Sequence, residues 1–208
     1  MHNWRMEMRE FLLKRDFCKV EEILLNQLSC DKSIELLFKL AMVRLQFPFE
    51  DEETSISYLN DILAQDKYNF EAIIIKMYIQ NYCYGGNMDK DYDTLVEKDW
   101  ESNYKNAIVD YIISWKADND IEKKKQLIKS TETYPFFVHN YQKLGDIYMS
   151  NGERILAKEC YMKALKNVVS TTYSEFEAID KQEFIDEYIL GIKLSSINYD
   201  SLKGKAFS

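Results

Sequence analysis

The sequence predicts an all-α chain of stacked antiparallel helix hairpins, and three observations carry that prediction. Apolar residues recur at three- and four-residue steps almost throughout the 208 residues. Only 2 prolines and 6 glycines occur, too few to punctuate the turns of a β-sandwich or the loops of a doubly wound sheet. Hydrophobic residues make up 46% and charged residues 30%, which at this length suits one or two globular domains with a real core and excludes a disordered or fibrous chain.

The elements follow in order. Trp4, Met8, Phe11 and Leu12, then Val20, Ile23, Leu24 and Leu28, mark two helices joined by a tight turn at residues 14–16. Residues 34–46 form a strongly apolar helix ended by Phe47-Pro48, because proline disfavours helical geometry in the residue before it. The acidic run at residues 50–53 precedes Ile56, Leu59, Ile62 and Leu63, where acids in a first turn are favourable against the positive end of the helix dipole. Residues 70–84 make another apolar helix, stopped by Gly85-Gly86. Residues 85–103 read as an irregular acidic insertion holding one short helix at about 92–98.

Pairing resumes afterwards. Residues 104–116 carry Ala107, Ile108, Tyr111, Ile112 and Trp115, a polar turn spans 117–120, and residues 121–133 form the partner before Pro135. Residues 138–150 and 153–168 flank Asn151-Gly152, a turn dipeptide. Ser174 and Glu177 have capping-box spacing, and Phe176, Ile179, Phe184, Ile185, Tyr188 and Ile189 predict a C-terminal helical cap at about 174–200. Residues 201–208 read as a frayed tail.

Helix pairs at a regular step call for a search for repeats. The segment Tyr141-x-x-Leu144-Gly145-x-x-Tyr148, followed by Ala157, Tyr161 and Ala164, closely resembles a tetratricopeptide repeat over residues 138–171. Tyrosine stands where that family prefers Trp or Phe at two places, and Val169 falls where its closing proline would be, although Pro135 sits one repeat length upstream. Earlier units are more degenerate. Trp4, Phe11, Val20 and Leu24 match the family's large and small positions while Glu7 and Met8 replace its Leu-Gly pair; the unit at about 36–68 needs an insertion at 47–53. The resemblance implies a short TPR-like α-solenoid over residues 1–208, a single helical-repeat domain with C-terminal capping helices. The physical reason is independent of the family: one amphipathic hairpin cannot bury its apolar stripe, so neighbours stack and share a core. Gly145, Ala157 and Ala164 are where helix backbones should approach most closely.

Chemistry is sparse. His2 and His139 lie in no metal-binding pattern, and Cys18, Cys30, Cys83 and Cys160 form no Cys-x-x-Cys pair, so the thiols read as small core hydrophobes of a reduced, cytoplasmic protein. Asp89, Asp91 and Asp93 begin like a calcium loop, but Thr94 and Trp100 occupy the places of its glycine and bidentate glutamate. Gly85-Gly86-Asn87 lacks the lysine and hydroxyl residue of a phosphate loop. No catalytic residue, metal or cofactor is assigned. No apolar run is long enough to span a bilayer, and the charged first twenty residues do not read as a signal peptide.

Charge and aromatics point to protein partners. The 35 acids against 27 basic residues give a net charge of −8, which argues against nucleic acid. Glu50, Asp51, Glu52 and Glu53, with Asp89, Asp91 and Asp93 in the insertion, form two acidic loops able to steer a basic partner. By resemblance to tetratricopeptide arrays, Tyr78, Tyr82, Ile112, Trp115, Gln142 and Asp146 would line a concave groove. The expectation is therefore a non-enzymatic protein-binding module. Its specific form is a bacterial immunity or antitoxin protein that blocks a basic toxin, with a peptide-sensing or chaperone-like adaptor as the alternative.

Overall fold

A computed structural model describes residues 4–83, 89–170 and 199–207, with side chains described at 4–80, 91–167 and 201–207. All regular elements among the described residues are α-helices. The chain packs as two compact units: the first runs through Leu95 and the second begins at Val96, with residues 199–207 belonging to the second.

The first unit begins with the hairpin of α1 (Trp4–Leu13) and α2 (Phe17–Leu28). Asp16 caps α2 by accepting from the Lys19 backbone N–H at 3.2 Å, which satisfies one of the amides left open at a helix start. Met8 and Leu12 on one arm and Val20 and Leu24 on the other are buried. The third helix, α3 (Ile34–Arg44), is buried from Leu36 through Val43 on every face, the signature of a central helix. It is followed by α4 (Glu52–Gln65), capped by Asp51 accepting from the Thr54 N–H at 3.0 Å. Ser55, fully buried, donates its hydroxyl to the Ala41 carbonyl at 2.9 Å, so α3 and α4 touch nearly backbone to backbone there. The next helix is α5 (Phe70–Cys83), opened by the Asn69 side chain accepting from the Ala72 N–H at 3.0 Å. Then α6 (Asp89–Glu97) fills part of the predicted irregular insertion.

In the second unit, α7 (Asn103–Lys116) and α8 (Asp120–Thr133) form a hairpin, as do α9 (Val138–Ser150) and α10 (Arg154–Ser170). Ser102 and Asn119 cap α7 and α8. Gly152 takes φ +78° at the α9–α10 turn, where only glycine enters the left-handed region without strain. The hairpin core of Val138, Tyr141, Ala157, Tyr161 and Ala164 is closed by Leu202 and Ala206 of α11 (Tyr199–Phe207).

Two expectations need correction. The tail expected to fray at 201–208 is helical through Phe207, because Leu202 and Ala206, one turn apart, find an apolar surface to cover. Cys18 and Cys30 are exposed and Cys160 is half-buried, so these three are not core hydrophobes. The capping-box helix predicted within 174–198 lies outside the described residues.

Candidate interaction surface

Two faces carry the predicted partner-binding residues in the second unit, and local sequence explains each. Along α7, Tyr111 and Trp115 are one helical turn apart and share a face. Along α9, His139, Gln142 and Asp146 fall on one face by the same spacing. The two helices meet where the buried Tyr111 ring is surrounded by Trp115, Phe137 and His139, with centroids at 5.5, 5.2 and 5.9 Å. The Trp115 and Phe137 contacts are edge-to-face, the favoured arrangement for ring quadrupoles. Trp115 therefore stands half-buried on a fixed aromatic base, and Gln142 is half-buried on the neighbouring helix.

Asp146 is engaged within the fold. It accepts the Tyr161 hydroxyl at 2.8 Å and the Lys205 ammonium at 2.8 Å, so one carboxylate ties α9, α10 and α11 together. Burial first, then the hydrogen bond and charge of Asp146, push the Tyr161 phenol well above its ordinary pKa. Ile112 is 2% exposed, facing the core one turn beyond Ile108, so it offers nothing to a partner. In the first unit, Tyr78 is half-buried on α5, and Tyr82 lies on the same helix with its side chain outside the described residues.

The acidic residues separate in the same way. Glu50 is exposed with φ 45°, and Glu53 is exposed on α4. Asp51 is occupied: the Thr54 backbone N–H and hydroxyl and the Arg44 guanidinium, with burial opposing, hold its carboxyl below the ordinary range. Glu52 is half-buried in the first turn of α4. Asp91, expected on an acidic loop, lies in α6, is 9% exposed and pairs with Lys76 of α5 at 3.0 Å. Asp93 is exposed on α6, and the Asp89 side chain is outside the described residues. The placement of Asp89, Asp91 and Asp93 on a loop is thus corrected to a helix, whose side chains two apart point to different faces.

Sequence reading missed the polar contacts that fix these faces. Lys129 of α8 donates to Asp110 of α7 at 2.7 Å. Ser130 donates to the Ala107 carbonyl at 2.6 Å and accepts from Asn140 Nδ2 at 2.6 Å, linking α7, α8 and α9. The only available signal was a serine and an asparagine amid apolar helical positions. Among the described residues no group of three or more His, Cys, Asp or Glu side chains is arranged to hold a metal, and no helix is long and apolar enough to cross a membrane.

Antiparallel hairpins with small residues at the helix contacts and no strand among the described residues define an all-α, TPR-like helical fold. Solved structures share it. A crystal structure of MamA matches with a TM-score of 0.57 and 20% identity, covering 77% of this chain and 94% of that one. A MamA RS-1 ArsTM double mutant matches with a TM-score of 0.56 and 15% identity, covering 82% and 97%. At these identities the likeness is one of fold. No protein-family model matches the chain, and no curated protein matches it at a significant level.

Proposed function

We propose that this chain is a non-enzymatic protein-binding module that uses the face of α7 and α9. The observation that carries the reading is Trp115, half-exposed and braced edge-to-face on the buried Tyr111. A rigid aromatic loses little side-chain entropy on binding and is the commonest kind of contact anchor. Gln142 beside it supplies hydrogen-bonding capacity, and Tyr78 and Tyr82 extend the same role to the first unit.

The more specific reading is an immunity or antitoxin protein held against a basic toxin in the cytoplasm. It is supported by the predicted acidic residues Glu50, Glu53 and Asp93, whose side chains are exposed. Peptide sensing remains the alternative favoured by the aromatic anchor. Binding of the partner that co-purifies with the chain separates them. Trp115→Ala with Gln142→Ala should weaken the complex by at least roughly tenfold through faster dissociation. Glu50→Lys with Glu53→Lys and Asp93→Lys should instead slow association and remove its salt dependence if the partner is a basic toxin. Unchanged binding in both variants would refute the proposal.

A further inference from the structure

The strongest unassigned surface lies on the second unit, on residues other than those of the aromatic face. Met149 at the end of α9, Arg154, Ile155 and Lys158 on the first turns of α10, and Lys205 of α11 line a depression of about 390 Å³. Ile155 is 78% exposed and Met149 38%, so the apolar lining is open to solvent. Single exposed apolar side chains are ordinary, but two side by side in one concavity flanked by cations suit an interaction site.

Its charge is opposite to that of the whole chain. The exposed face of α10 carries Arg154, Lys158, Lys163 and Lys166 against Glu159 alone, while the chain as a whole is −8. Lys205 is engaged by Asp146, and the nearby Glu153 is paired with Lys124 at 3.9 Å. Arg154 and Lys158 make no ion pair among the described residues, so two cations flank an open apolar floor with their charge unspent.

We infer that this depression docks an acidic amphipathic segment of another protein, an apolar side chain of that segment resting on Ile155 and Met149 and its carboxylates on Arg154 and Lys158. The concavity favours an inserted side chain over a flat lipid surface, and an arginine next to a lysine favours carboxylates, which the arginine fork engages through two hydrogen bonds. The site shares no residue with the Trp115 face, so it stands or falls separately from the proposed function.

The test uses the full chain with its methionine methyls isotopically labelled, titrated with a short synthetic peptide bearing leucines at i, i+3, i+4 and i+7 and glutamates elsewhere. The Met149 methyl resonance should shift on titration, and binding should weaken with salt. Arg154→Glu with Lys158→Glu should reduce the affinity at least about tenfold while leaving the circular dichroism and thermal midpoint unchanged, since both side chains are exposed. Trp115→Ala should leave it unaffected. A still Met149 methyl, equal binding of the same peptide with lysine in place of glutamate, or a response to anionic phosphatidylserine vesicles instead of the peptide would each overturn the inference.

Discussion

Gly145 and Tyr161 meet across the α9–α10 contact so closely that a Cβ at position 145 would lie 2.5 Å from the Tyr161 ring. Tyr161 is 1% exposed and its hydroxyl is anchored on Asp146, so the ring has no free direction in which to yield. Gly145→Ala should therefore destabilise the second unit by about 1–3 kcal/mol despite alanine's better helix propensity. Gly204→Ala, where an added Cβ meets nothing within 4 Å, is the control and should be neutral or slightly stabilising. Thermal unfolding of the two variants checks the contrast.

Ala157 makes a related prediction on the facing helix. It is fully buried in the same cluster as Tyr161 and Leu202. Ala157→Leu should overpack that contact and cost roughly 1–3 kcal/mol. An unchanged melting curve would contradict the close approach of α9 and α10.

The Tyr161 phenol supplies a pH dependence whose sign is fixed by its surroundings. Its folded-state pKa is raised, so its contribution is present in full below the unfolded value of about 10 and is lost as pH rises from there through the folded value. Tyr161→Phe should cost about 1 kcal/mol near neutral pH through the lost bond to Asp146, which is itself partly exposed. Above pH about 10 the wild-type urea midpoint should fall more steeply than that of the variant.

The helix order was legible because its stops are local. Phe47-Pro48 and Asn151-Gly152 end helices through backbone geometry that any neighbour must respect, and the small residues Gly145, Ala157 and Ala164 lie at a helix contact whatever packs around them. What was not legible depends on distant partners. The terminal helix shows only Leu202 and Ala206 as inward positions, too weak a pattern to stand out until the core of α9 and α10 is present to receive them. Asp91 reads as one of three alternating acids, yet its fate is set by Lys76, fifteen residues earlier on another helix. The charge sum concealed the same kind of information. Outside residues 50–53 and 89–101 the chain is formally neutral, but that neutrality averages over the basic face of α10.

Ser55 and Ser130 make the same bond in the two units, a buried hydroxyl donating to an alanine carbonyl of the preceding hairpin arm, Ala41 in one and Ala107 in the other. Their loss should not be equal. Ser55→Ala removes one hydrogen bond, about 1 kcal/mol. Ser130→Ala also strips the acceptor from the fully buried Asn140 amide, adding a desolvation penalty for a total of about 2–4 kcal/mol. Ser130→Ala combined with Asn140→Leu should recover part of that loss, because no buried donor is then left without its partner. Urea denaturation of the three variants provides the measurement.

Arg44 and Asp51 close the α3–α4 turn, with Glu21 of α2 on the other side of the guanidinium and the Phe49 ring 4.7 Å from its centre. Asp51 serves two functions there, as helix cap and as ion-pair partner, and two substitutions separate them. Asp51→Asn keeps a capping oxygen and loses the charge, whereas Asp51→Ala loses both and should cost about 1 kcal/mol more. Because the folded-state pKa of Asp51 is lowered, its stabilisation is present above the ordinary value of 3.8 and disappears as pH falls through the folded value. Both variants should therefore lose part of the decline in stability below pH about 4, and the difference between them should persist at pH 7. If the acid limbs of wild type and Asp51→Asn coincide in urea titrations, the carboxylate contributes to the turn only as a hydrogen-bond acceptor, and Arg44 is held by Glu21 alone.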